Sequence, residues 1–238
     1  MPNEALLLIS VFVIYISVIM FFRLFGRTGL YCWMVMATVA ANIEVTMVVD
    51  AFGMEQTLGN VLFASTFLAT DILSETAGRK AANKAVYISI ATSVIFIVIS
   101  QSWMLYTPNQ SDIAHESITR VFANTPRIML ASIVVYAIVQ LFDVFAYHFI
   151  WERTTRICND SSRFLWLRNN LATMLSQLIN TVLYTYAAFW GIYSGKTILN
   201  IVVSTFVIYL FTSLLDTPAV YIARRIAKKH PSEGESNV

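Results

Sequence analysis

The chain has 238 residues, of which 57% are hydrophobic and 13% charged, with a formal net charge of +2. A soluble domain usually carries about 25% charged residues, so this chain has too few to coat a water-facing surface of its size. Its apolar residues fall in runs of about 20, the length that crosses a hydrocarbon core roughly 30 Å thick, which excludes an ordinary soluble enzyme and points to one all-α integral membrane domain.

Seven transmembrane helices are expected, over about 5–25, 29–52, 59–78, 84–106, 127–151, 169–192 and 197–222. The first has no basic leader before it and no small-residue cleavage site after it, so it reads as a retained span. The breaks at 26–29, 53–59, 78–84 and 191–196 are short and contain glycine, whereas 108–126 is a polar loop and 152–168 a long charged connection. From Lys228 the chain turns polar, which predicts a disordered tail. Cys32 lies inside a span and Cys158 in a basic loop, so neither a disulfide nor metal-ligand spacing is expected.

Cytoplasmic loops are enriched in Lys and Arg. With the spans above, one side collects Arg23, Arg27, Arg79, Lys80, Lys84, Arg153, Arg156, Arg163, Arg168, Arg224, Arg225, Lys228 and Lys229. The other holds Arg120, Arg127 and Lys196, which completes the 16 basic residues of the chain. This asymmetry predicts a multi-pass protein of the plasma or inner membrane with its N-terminus outside and its C-terminus in the cytoplasm. Trp103, Trp151, Trp166 and Trp190 fall near the expected interfaces, where indole rings concentrate.

Ionisable groups within a span are costly, so they face the bundle interior or a cavity. The second span carries Asn42, Glu44 and Thr46, and the third Asp71 and Glu75, four residues apart on one face with Phe67 a turn earlier. In the fifth, Tyr136, Gln140, Asp143 and Tyr147 form a single stripe. In the sixth, Thr173, Gln177, Asn180 and Tyr184 form a stripe of the same kind, beginning one turn beyond Asn169 and Asn170. The pattern Gln-Leu-x-Asp/Asn at 140–143 and 177–180 suggests a local inverted repeat, an arrangement that often frames a transporter site. Amides of this kind also serve as packing glue between helices. Asp216 precedes Pro218 and is expected to cap a helix broken there. Ala37 and Ala41 have small-xxx-small spacing, which suits a docking surface for another chain or close packing within the bundle.

No Walker A loop, HExxH or GxSxG motif occurs, and His115, His148 and His230 are far apart. No lysine lies within the last span to form a retinal Schiff base. Buried carboxylates and amides without a nucleophile–base pair suggest binding and passage rather than catalysis, and no cofactor or metal is expected.

Four stretches together resemble the queuosine precursor transporter family, also called the vitamin-uptake-transporter-like family. They are Ala41-Asn-Ile-Glu-Val; Thr66-Phe-Leu-Ala-Thr-Asp-Ile-Leu-Ser-Glu-Thr-Ala-Gly78; Tyr136-Ala-Ile-Val-Gln-Leu-Phe-Asp143; and Arg168-Asn-Asn with Gln177 and Asn180-Thr181. The resemblance covers about residues 30–225. It implies a six-helix core at 29–226, similar to the substrate-binding components of energy-coupling-factor transporters. That core follows an additional helix at 1–28 and precedes a cytoplasmic tail at 227–238. It also implies import of a 7-deazaguanine such as preQ0, preQ1 or queuine for salvage into tRNA, with no direct nucleic-acid contact. The protein would act alone or with a separate energising module. Position 180 is Asn where members of the family often carry Asp, and the last span lacks the basic residue that some of them have.

A 7-deazaguanine offers N–H donors at N1 and the 2-amino group, acceptors at O6 and N3, and a flat face. On that chemistry Asp71 or Asp143 would accept from the donor edge, and Gln140, Gln177 and Asn180 would read the acceptors, with Asn42 a further substrate-binding candidate. Phe67, Tyr136, Tyr184 and Trp190 would stack, and Glu44 or Glu75 would meet a cationic aminomethyl group. A vitamin-capture component and a seven-helix receptor without transport are the competing readings.

Overall fold

The computed structural model describes residues 2–123, 126–191 and 194–229, without the side chains of 54–56 and 126–130. The expected tail lies, beyond Lys229, outside the described residues. Among the described residues the chain forms seven helices and one two-stranded hairpin.

The first helix, α1 (Asn3–Glu44), leaves helical geometry at Gly26, where φ is 57° and ψ −139°. A left-handed φ is inexpensive for glycine and strained for other residues. There the helix doubles back into two legs, 3–25 and 27–44. The side-chain amide of Asn3 donates to the Asp50 carbonyl at 2.9 Å, so the two far ends of α1 lie at the same end of the bundle. The legs touch at the reversal through Phe21 and Trp33, whose rings sit 5.6 Å apart edge to face. On the first leg, Leu7, Val11, Tyr15, Val18 and Phe22 are buried at helical spacing. The opposite face exposes Leu8, Phe12, Ile16 and Leu24, which suits lipid and not water.

The second expected span is shorter than predicted. Its helix stops at Glu44, and β1 (Val48–Ala51) pairs antiparallel with β2 (Met54–Thr57) through a turn at Phe52 and Gly53. Both turn residues have positive φ, the geometry that matches the twist of a two-residue hairpin. Val48 and Val49 read as apolar span residues in the sequence, yet the β-branched run pairs with the next segment instead.

Helix α2 (Gly59–Ala77) is buried on nearly every side, with 14 of its 19 residues inside. It connects through Gly78 alone to α3 (Arg79–Trp103), so the charged turn expected at 78–84 is already helix. The loop expected at 108–126 contains α4 (His115–Phe122), an amphipathic two-turn helix. Asp112 anchors its start by accepting from the backbone N–H groups of Ala114 and His115. Those bonds hold its carboxyl below the ordinary carboxylate range. Helix α5 (Pro126–Cys158) and α6 (Leu165–Phe189) extend into the connection expected at 152–168, leaving a short loop at 159–164. Helix α7 (Gly195–Lys229) continues through Pro218. Asp216 therefore caps no helix end; its carboxylate is fully buried.

Among the described residues, four stretches are long and apolar enough to cross a membrane: α1, α3, residues Ala131–Cys158 of α5, and α7. Helices α2 and α6 are more polar because they carry Asn60, Asp71 and Glu75, and Asn169, Asn170, Gln177 and Asn180. The bundle shields these groups, since α2 packs against α1, α3, α5 and α7, and α6 against α5 and α7. Ala37 and Ala41 are buried within this packing and present no surface to another chain.

Gly59 marks the closest approach of α1 and α2. A Cβ there would lie 2.8 Å from the Ala41 carbonyl oxygen and 3.0 Å from the Val45 nitrogen. Gly59→Val is expected to destabilise the fold by about 1–3 kcal/mol through overpacking. A lowered thermal midpoint of the detergent-purified protein would register the effect, and an unchanged midpoint would contradict the crossing.

Candidate functional site

The polar interior is arranged in tiers, because helices α2, α5, α6 and α7 contribute residues to its successive levels. At the hairpin end they surround, with the second leg of α1, an open cavity of about 300 Å³. Its polar lining includes Thr38, Asn42, Asn60, Ser132, Asn180 and Thr185, and its aromatic walls are Phe63, Tyr136, Tyr184, Phe189 and Tyr209. Among the described residues, no charged side chain lines it. Most of its polar groups are held by the protein. Asn42 donates to the Thr38 carbonyl at 2.8 Å and accepts from Ser132 at 3.2 Å, and Asn60 accepts from Tyr209 at 3.3 Å. Tyr136 shares a 2.7 Å hydrogen bond with Ser89. The Asn180 side chain makes no hydrogen bond among the described residues, so its amide is available to a guest.

The cavity floor is a largely apolar layer. Phe67 packs with Val135 and Val139, and with Phe63 and Tyr184 from the cavity walls. Beside it the Gln140 amide donates to Thr66 at 2.7 Å, and its carbonyl accepts from Thr70 at 3.4 Å.

Beneath the floor lie Asp71, Asp143 and Asp216, from three different helices and all buried. They are near enough for their charges to interact. Thr173 donates to one oxygen of Asp71 at 3.0 Å. The other Asp71 oxygen and both oxygens of Asp143 and of Asp216 have no partner in hydrogen-bonding geometry. Both amide atoms of Gln177 and the hydroxyls of Ser74, Ser176 and Ser213 are likewise buried without partners.

At the opposite end from the hairpin, Glu75 closes the bundle. One of its oxygens accepts from the Arg168 guanidinium at 2.6 and 3.2 Å and from the Tyr147 hydroxyl at 2.9 Å. The other faces Arg224 at 3.2 Å. Arg168 also donates to the Arg163 carbonyl at 2.9 Å and lies over the Trp151 ring at 4.2 Å. The sequence pattern counts Arg168 among the basic residues of the cytoplasmic side, whereas its side chain is fully buried. The signal was its position beside Asn169 and Asn170 at the head of an apolar run, together with a Glu75 that needed a partner.

The residues singled out in the sequence therefore occupy different levels. Asn42, Tyr136, Asn180 and Tyr184 line the cavity, Phe67 and Gln140 form its floor, and Asp71, Asp143 and Gln177 lie below. Glu75 belongs to the closing ion pair. Glu44, at the end of α1, is half-buried outside the lining, and Trp190 is exposed, stacked on Tyr186. Asn60, Phe63 and Tyr209 were not anticipated. They sit on the same helix faces as the expected residues, one or two turns nearer the hairpin.

Residues 57–223 match the family described as "Putative vitamin uptake transporter", a region that includes α2, α3, α5, α6 and most of α7. The chain belongs to this family. It is also 36% identical over 226 residues to a Bacillus subtilis (strain 168) protein named "Probable queuosine precursor transporter", covering 95% of this chain and 96% of that protein. No solved structure matches the chain. The stretch Thr66 to Gly78, which contributes the floor, Asp71 and Glu75, falls within the family match. Membership makes the chain a membrane transport protein, with its multiple apolar helices in the bilayer.

Removing one partner of a buried ion pair leaves an uncompensated charge, at a cost of about 3–5 kcal/mol. Arg168→Ala is expected to destabilise the protein by that order, whereas replacing Arg168 and Glu75 together with Met and Leu recovers part of the loss. A double-mutant cycle on thermal midpoints checks this, and additive losses would argue against the pair.

Proposed function

We propose that the protein imports a 7-deazaguanine precursor of queuosine across the cytoplasmic membrane, and that the cavity at the hairpin end is where it first binds. The supporting observation is the unpartnered amide of Asn180 in a neutral, aromatic-walled cavity of about 300 Å³. That volume lies at the lower end of small-molecule sites, and a few convergent polar groups in an apolar pocket fix orientation. A planar base would stack against Tyr136, Tyr184 or Phe63 while its edges meet Asn180, Asn42 and Asn60. None of the described lining residues is charged, which favours the neutral nitrile of preQ0 over the cationic aminomethyl group of preQ1, because an ammonium beside them would meet no counter-charge.

In this reading the two legs of α1 and helices α2, α3, α5, α6 and α7 make seven crossings. The basic end faces the cytoplasm, the hairpin end faces outward, and the segment 29–226 is a six-helix core. The cavity is then open to the outside while the Glu75–Arg168–Arg224 cluster closes the inner side. Transport and not catalysis is the activity, in keeping with the family. A vitamin is the second candidate substrate, favoured by the family description.

Thermal-shift titration of purified protein with preQ0, preQ1, queuine, guanine and vitamins tests the substrate. Stabilisation by preQ0 is expected, and stabilisation by vitamins alone would select the second reading. Asn180→Ala is expected to weaken preQ0 binding by about tenfold or more, the cost of about 1–3 kcal/mol for a lost buried partner. Uptake of labelled preQ0 into cells that lack precursor synthesis separates a transporter from a receptor, which would bind without accumulation.

A further inference from the structure

Asp71, Asp143 and Asp216 take no part in the cavity. A buried carboxylate without a cation or hydrogen-bond donors is among the most costly groups to retain. Here three lie buried together, and five of their six oxygens lack protein partners. Among the described residues, the groups around them supply no positive charge. Tyr15 approaches Asp216 from α1 but donates to the Thr212 carbonyl at 3.3 Å. Ser176 of α6 faces Asp143 without closing a hydrogen bond. The buried positions of α3 carry no ionisable group. Towards the basic end, Tyr147 of α5 and Arg168 of α6 are both engaged by Glu75. Ser176 and Gln177 are fully buried, and their polar atoms are unpartnered on the same face of α6 as Thr173, which holds Asp71. These donors and acceptors are placed for an occupant that carries positive charge. Among the described residues, no three acidic, histidine or cysteine side chains converge closely enough to hold a metal ion.

We infer that Asp71, Asp143 and Asp216 form a proton-binding site beneath the substrate cavity and that it couples substrate import to proton entry. This rests on the transport reading above. Protons taken from the outer side neutralise the carboxylates, and the same protons leave at the basic end when the Glu75 cluster opens. No covalent bond other than O–H forms or breaks. Phe67 and Gln140 lie between the two sites, so a guest pressing on the floor is in contact with the layer that separates it from the carboxylates. Gln140 hydrogen-bonds the α2 turn that leads into Asp71.

The test uses the full chain in proteoliposomes. An inward proton gradient is expected to drive preQ0 accumulation, a protonophore to abolish it, and a sodium gradient to have no effect. Asp143→Asn is expected to bind preQ0 within a small factor of wild type yet fail to accumulate it, with Asp216→Asn as the second variant should the first not fold. Sodium-driven accumulation, or accumulation indifferent to the protonophore, overturns the inference. Loss of preQ0 binding by about tenfold or more in Asp143→Asn also overturns it, by putting the carboxylates in the substrate site. Infrared spectra distinguish this inference from the substrate assignment. A protonated-carboxyl band in wild type at neutral pH that diminishes in Asp71→Asn, Asp143→Asn and Asp216→Asn supports the site even if no 7-deazaguanine binds. Absence of that band overturns the site even if transport is found.

Discussion

Glu75 is held by Arg168, Arg224 and Tyr147, so one carboxylate ties together α2, α5, α6 and α7 at the basic end of the bundle. Burying these charges is tolerable because each oxygen has a cation and because Arg168 also rests on Trp151 and a backbone carbonyl. The tie fixes the register of the four helices, and the other tiers follow from it. Going up α2 from Glu75 reaches Asp71, then Phe67 and Phe63; going up α5 from Tyr147 reaches Asp143, Gln140 and Tyr136. A shift of one helix by a single turn would break the ion pair and misalign every layer above.

The tiers differ in what the protein leaves unsatisfied. At the basic end the charges are paired. In the floor, Gln140 has Thr66 and Thr70. The acidic layer and Asn180 are different, since polar atoms there lack protein partners. A folded chain rarely retains such groups without a use for them, because each costs about 1–3 kcal/mol. The unsatisfied layers are the ones that a guest or a proton would complete.

Much of this was legible in the sequence. The stripes Tyr136–Gln140–Asp143–Tyr147 and Thr173–Gln177–Asn180–Tyr184 are set by helical periodicity, and their members lie on the inward faces of α5 and α6. The Thr66 to Gly78 segment carried the family resemblance. Depth was harder to read. A span pattern says which residues face inward but not which tier each occupies, because tier depends on the vertical offset between helices. Hence Glu75 and Asp71, one turn apart, read as one site although they belong to different layers. The hairpin at 48–57 was hidden for another reason, since valines suit a lipid-facing helix and a short strand equally.

Tyr15 shows what the first leg of α1 contributes. This leg lines none of the cavity, yet it seals the flank of α7 where Asp216 lies. It acts as electrical insulation, covering the Asp216 side of α7 while the opposite side of that helix exposes Leu199, Phe211 and Leu214. A relative that lost this leg would have to cover α7 some other way or replace the acid at position 216. This leg and the aspartate are thus expected to be inherited together.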